Sequence, residues 1–237
     1  MYLSDIHTHS IASGHGTSCT ISDMAKAASK KGLKLLGITD HGPGTLAAGT
    51  SSYFRSLTYA PKKRFGIELL FGAELNILDT EGHLDLNDEL LSELDYAIAS
   101  MHAQNYKSGT VEENTSAYLN AMRHPCVKVL GHCDNPAFPV DYETLAFGAK
   151  EYGVIFEINE ASLMPDGYRG DTRANNKEIL RCCRKLEIPI VLSSDSHGAE
   201  HVGEFTYGAE FVHEMMFPER LILNNDIPLL KMILSER

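Results

Sequence analysis

The amino-acid sequence predicts an α/β protein built on a parallel β-sheet, with closure into a barrel favoured over an open doubly wound sheet. Three observations lead there. Short β-rich runs alternate with helix-period runs from end to end; the strand candidates number seven; and no composition shift, low-complexity segment or internal repeat divides the chain. One domain over residues 1–237 is expected. That length can bury roughly 70–75% of the unfolded surface without help from disulfides.

The elements follow in order. A first strand over 2–6 precedes a helix at about 22–31, with Ser22 as its N-cap and Gly32 as its stop. Strands at 33–39 and 67–73 flank a Gly-, Ser- and Thr-rich stretch over 42–66 that reads as irregular. Residues 77–87 read as a hairpin around Glu81-Gly82. Strands at 95–101, 126–131, 154–158 and 189–194 then alternate with helices near 112–124, 141–151 and 174–187. His124-Pro125 ends the first of these helices, because proline disfavours α geometry in the residue before it, and Gly153 ends the second. Two more helices are expected at 203–216 and 226–235.

Composition narrows the function. With 21 Lys+Arg against 32 Asp+Glu the formal charge is −11, which argues against broad attraction to long nucleic acid or anionic lipid. The five cysteines form no C-x-x-C pair and are odd in number, so free thiols in a reducing cytoplasm are expected. Cys133 reads as a small buried hydrophobe. Met1–Ile6 reads as a strand rather than a targeting segment, and no apolar run approaches a membrane span. What stands out is 11 histidines in a chain short of positive charge.

Those histidines collect where strands end. His7 and His9 follow the first strand, His41 the second, His102 the fourth and His132 the fifth; His197 comes two residues after Asp195 at the end of the seventh. Glu74 closes the third strand, and His15 lies just beyond the first. In a parallel βα barrel these ends share one face, where active sites are built. His7-Thr8-His9 places two imidazoles on one side of an extended segment, and Asp195-Ser196-His197 repeats the spacing with a carboxylate. Imidazoles suit Zn, Fe and Mn, and carboxylates can bridge two ions, so a polynuclear metal site is expected. Asp5, in phase with His7 and His9, and Asp40, beside His41, are candidates to orient the ligands; Asp134 is a third, equally readable as a capping or solvated residue. His83, His124 and His213 read as surface or helix-end residues, and His201 as a residue at the rim.

In this arrangement the sequence resembles the PHP (polymerase and histidinol phosphatase) domain family. The motifs are D-I-H-T-H-S at 5–10, I-T-D-H-G at 38–42, G-A-E-L-N at 72–76, S-M-H at 100–102, G-H at 131–132 and S-D-S-H at 194–197. They span essentially the whole chain, in an order most similar to the short stand-alone YcdX-type members. The resemblance implies a distorted (β/α)7 TIM-like barrel with three divalent metal ions, most often Zn, with Mn or Fe as alternatives. It implies that His7, His9, Glu74 and Asp195 hold one ion, and that Glu74 bridges to a second bound by His102 and His132. His15, His41 and His197 are implied to hold the third. One departure is the loop His132-Cys133-Asp134-Asn135-Pro136, where the family commonly has H-P-G-N-P; this puts the nearby substrate contacts in doubt.

The chemistry implied is hydrolysis of a phosphate ester, most simply a small phosphomonoester, by a metal-activated hydroxide, with Glu74 and Asp195 acting through the ions. No residue is singled out as general acid. Asn159, Arg169 and Arg173, on or after the sixth strand, are candidates to contact substrate, the arginines because a guanidinium can grip phosphate bidentately. Three rivals remain open: a phosphodiesterase or exonuclease acting on short nucleotides, an amidohydrolase-like enzyme, and a metal-binding regulatory module without turnover. The amidohydrolase reading sits less well with Glu74 after the third strand and Met101-His102 after the fourth.

Overall fold

The computed structural model describes residues 2–236. Its strands are β1 (Ser4–Asp5), β2 (Leu35–Ile38), β3 (Lys63–Arg64), β4 (Ile67–Phe71), β5 (Ala73–Asn76), β6 (Ala97–Ser100), β7 (Val127–Leu130), β8 (Ile155–Asn159) and β9 (Ile190–Ser193). They form two ladders, β1-β2-β4-β3 and β5-β6-β7-β8-β9, parallel throughout except for the short β3–β4 pair.

Two backbone links join the ladders into a ring. On one side His41 pairs with Glu74, and the Gly72 amide donates to the Ile38 carbonyl at 2.9 Å. On the other, Thr8 pairs with Ser196, while His9 N–H donates to the Ser196 carbonyl at 2.9 Å. The expected strand over 67–73 is therefore one ring position broken into β4 and β5 at Gly72. A Cβ on Gly72 would stand 2.6 Å from the Tyr96 carbonyl oxygen, so the close passage of this strand past β6 requires glycine. The ring β1, β2, β4/β5, β6, β7, β8, β9 matches the expected seven-membered barrel, distorted where loop backbone completes the ladder.

Side-chain alternation sorts the core into two clusters. Ile6, Leu35, Leu70, Tyr96, Ile98, Val129, Ile155 and Val191 pack together as the barrel interior. The alternate residues, among them Leu36, Ile38, Leu69, Ala97, Ala99, Leu130 and Ile158, pack outward under the helices. These helices are α1 (Ile21–Lys30), α2 (Ser51–Leu57), α3 (Asp88–Leu91), α4 (Val111–Met122), α5 (Tyr142–Tyr152), α6 (Glu160–Leu163), α7 (Arg173–Leu186), α8 (Thr206–Glu214) and α9 (Ile227–Ser235). In α7 the buried stripe Asn176, Ile179, Leu180 and Cys183 recurs at helical spacing and faces the sheet. Helix α9 differs: Leu230 and Leu234 join the interior cluster and floor the barrel at the end where the strands begin.

Several expectations need local correction. Helix α1 starts one residue early and is capped by Thr20, not Ser22; Thr20 and Asp23 exchange bonds in a capping box. Helix α2 occupies part of the stretch expected to be irregular, packing Phe54 and Leu57 inward. The first strand retains two ladder residues because Ile6–His9 turn toward β9. The hairpin is present: Ile77 pairs with Leu84, and Gly82 takes a φ of 78° in the turn. Among the described residues no helix is long and apolar enough to cross a membrane.

Candidate metal centre

Glu74, in β5, lies at the centre of the histidine cluster. Its Oε1 is 2.7 Å from His132 Nε2 and 3.3 Å from His102 Nε2. Its Oε2 is 2.6 Å from His41 Nδ1, 3.5 Å from His7 Nε2 and 3.6 Å from His9 Nε2. Asp195 supplies the second carboxylate, with Oδ1 3.1 Å from His9 Nε2 and 3.6 Å from His7 Nε2. His197 reaches the same place, its Nε2 3.4 Å from that of His41. His15 sits outermost: its exposed ring stacks on His41 at 4.9 Å and lies 5.0 Å from His197. All nine candidate ligands thus converge on one end of the barrel.

The donor set fits metal ions. His7 Nε2, His9 Nε2, His41 Nδ1 and Glu74 Oε2 are buried without a hydrogen-bond partner, a cost of about 1–3 kcal/mol for each such group. Three groups, His7/His9/Asp195, His41/Glu74/His102 and His9/His41/His197, each bring one ligand atom per residue within 4.8 Å of one another. His9 and His41 belong to two groups each, so the donors form one continuous cluster. Burial alone would push Glu74 up, but the imidazoles of His41, His102 and His7 outweigh it and hold the carboxyl well below its usual range. Burial and the Arg169 guanidinium push His132 down to about 4, leaving the neutral imidazole that ligation requires.

Polar partners behind the rings settle their tautomers. Glu157 Oε1 accepts from His7 Nδ1 at 2.6 Å, which leaves Nε2 with its lone pair toward the cluster. Ser13 Oγ donates to Asp40 at 2.7 Å and so accepts from His9 Nδ1 at 2.8 Å. The Asn76 amide nitrogen donates to Asp85 and Thr45, so its oxygen accepts from His102 Nδ1 at 2.7 Å. The backbone bends at the same point: His132 and Asp195 have φ of 28° and 52°, left-handed values costly for residues with a Cβ.

The PHP domain family model matches residues 5–162. The chain belongs to the PHP domain family. It is 40% identical over 225 residues, 95% of this chain and 91% of the relative, to a Clostridium novyi protein named "Probable phosphatase". A Thermoanaerobacter relative of the same name is 39% identical over 234 residues, 98% of this chain and 94% of its own length. Among solved structures, hisK of Listeria monocytogenes aligns with a TM-score of 0.63 at 20% identity, over 87% of this chain and 99% of that one. Histidinol phosphate phosphatase from Lactococcus lactis, complexed with Zn, L-histidinol and phosphate, aligns at 0.59 and 18% identity, over 92% and 95%.

Around the cluster of this PHP domain the remaining candidates separate. Asn159 and Arg169 are buried and hold Asp195 Oδ2 at 3.2 and 2.8 Å, so both contact a candidate ligand; Arg169 also lines the cavity above the cluster. Arg173 is placed elsewhere: it is exposed, pairs with Glu214 at 2.6 Å and covers Phe211, because α7 starts at this residue and turns it outward. Asp40 acts on His9 through Ser13. Asp5 meets no imidazole; it accepts from Ser194 and from Gly203 N–H, and burial raises its pKa to about 6. Asp134 bonds Asn176 and Ser162, Cys133 is buried in the core, and His201 pairs with Glu204 at the surface. Sequence reasoning missed Glu157, Asn76 and Ser13. Glu157 had one available signal, an acid within the apolar run VIFEI, and Asn76 another, being in phase with Glu74.

Proposed function

We propose that this chain is a metal-dependent phosphoesterase acting on a small phosphomonoester, with three divalent ions, most simply Zn, held by the nine residues clustered around Glu74. His7, His9, Glu74 and Asp195 hold the first; Glu74, His102 and His132 the second; His15, His41 and His197 the third. The observation that carries the proposal is the set of orphaned, buried nitrogen and oxygen atoms facing one another across Glu74. The relatives named probable phosphatase and the Zn- and phosphate-bound Lactococcus neighbour support the same chemistry.

When bound, such ions acidify water and offset the negative charge of a phosphoryl group. The chain's own residues do the positioning. Glu157, Ser13 and Asn76 keep the ligating nitrogens deprotonated and aimed inward. Arg169, held rigid by Asp195, Asn159 and Ser162, lines the cavity where it can meet a phosphate oxygen.

Elemental analysis of protein purified without chelator tests the site directly: we expect more than one equivalent of Zn, Mn or Fe per chain, and fewer refutes the trinuclear centre. Glu74→Gln and Asp195→Asn are expected to lose metal as well as turnover of a generic phosphomonoester, with far-UV circular dichroism unchanged. Activity confined to carboxamides or lactones would overturn the phosphoesterase reading.

A further inference from the structure

We infer that the leaving group of the substrate is neutral and apolar, and that the site disfavours phosphate esters of ammonium-bearing alcohols. The inference rests on the phosphoesterase reading and narrows it to a substrate class.

The cavity above the cluster measures about 640 Å³, within the range of about 300–1,000 Å³ common for small-molecule pockets, so an organic group fits beside a phosphate. Its wall gathers its apolar side chains on one flank, among polar ones. The loops after β1, β2 and β9 contribute imidazoles and Asp195. The loops after β6, β7 and β8, consecutive around the barrel, contribute His102, His132, Arg169, Gln104 and Asn135, and with them all the larger apolar groups of the wall, Met101, Phe138 and Tyr168, beside Ala103 and Ala137. Met101 and Phe138 are buried at the base of this flank, and Tyr168 is exposed at its rim. Phe138 is 4% exposed and meets the Tyr106 ring edge-on at 6.1 Å. Tyr168 lies under the Arg169 guanidinium at 4.5 Å, and Arg169 is pinned to Asp195.

The charges in the wall decide the sign. Among the described residues lining the cavity, Asp195 is the only carboxylate. Its Oδ2 is taken by Arg169 and Asn159, and its Oδ1 faces His9 and His7. An alkylammonium entering here loses water without gaining a free carboxylate, and does so beside a guanidinium. An alkyl or aryl group instead leaves water for Met101, Phe138 and Tyr168. L-histidinol, present in the Lactococcus neighbour, carries an amine, so this chain's substrate is expected to differ from it.

The test compares n-butyl phosphate with 3-aminopropyl phosphate on the metal-replete protein. The two esters are nearly isosteric, with a methyl group exchanged for an ammonium. We expect kcat/KM to be at least about tenfold higher for the butyl ester, mostly through KM. Gln104→Glu, at the exposed rim of the cavity, should narrow that ratio severalfold. Tyr168→Ala should raise KM for the butyl ester more than for the aminopropyl ester and so narrow the ratio as well. Equal or faster turnover of the aminopropyl ester overturns the inference while leaving the phosphoesterase reading intact. Hydrolysis of neither ester by protein carrying its full metal complement overturns both.

Discussion

At Glu74 a single carboxylate meets His7, His9, His41, His102 and His132, each through a ring nitrogen within 3.6 Å. For His7, His9 and His102 a polar partner takes the outer ring proton, which leaves the inner nitrogen free to bind a metal. Glu157 does this for His7 while also accepting the His132 amide at 2.7 Å, so one side chain braces two of the clustered histidines. Glu157→Gln is expected to weaken metal affinity by roughly 10–100-fold, read by competition with a chelating dye, with the fold retained. An amide can present its NH₂ to His7 Nδ1 and so favour the wrong tautomer. The clustered histidines were readable because i, i+2 spacing and strand ends are properties of the chain itself. Glu157 and Ser13 were not, since their role depends on which imidazole folds against them.

Among the elements, the hairpin and the first helix show where local signals suffice. The Asp79–Gly82 turn forms where Gly82 permits a left-handed φ, as Glu81-Gly82 predicted. Its His83 is fully exposed, and the hydrogen bond to Asp79 at 2.7 Å raises the imidazole pKa above its usual value. The proton is favoured in the folded hairpin, so the pair's contribution is complete below the unfolded histidine pKa and is lost as pH rises through the folded one. In an NMR titration Asp79→Asn should bring the His83 midpoint down toward about 6.5. An unchanged midpoint would show that the bond does not persist in solution. The α1 cap was misplaced by two residues because Thr20 and Ser22 are both good N-caps. The reciprocal Asp23 bond selects Thr20.

For the whole molecule, the site and the floor lie at opposite ends of one barrel. Leu230 of α9 is fully buried against the interior cluster, so Leu230→Ala should cost about 2–5 kcal/mol. Thermal or denaturant unfolding reads that loss, and metal content per folded chain should stay unchanged. A drop in metal content would show that floor and site are mechanically linked. Part of the net charge of −11 is buried, in Asp5, Asp40, Glu74, Asp134, Glu157, Glu160 and Asp195 against Lys128 and Arg169, and the three proposed divalent ions would add about +6 at one mouth, where an anionic substrate is needed.

Sequence alone favoured the barrel over an open sheet and located its strands and the histidine-bearing strand ends. Periodicity and residue spacing are local, and parallel βα connections leave few topologies for them. Tertiary structure decided the rest. It put Arg169 on Asp195 and sent Arg173 to Glu214, although both follow β8 within fifteen residues of its end. It broke the third strand position at Gly72, where Tyr96 crosses. It also drew an apolar flank from three separate loops beside the imidazoles. Each of these depends on what lies opposite in space, across the closed ring, and linear spacing carries no record of that.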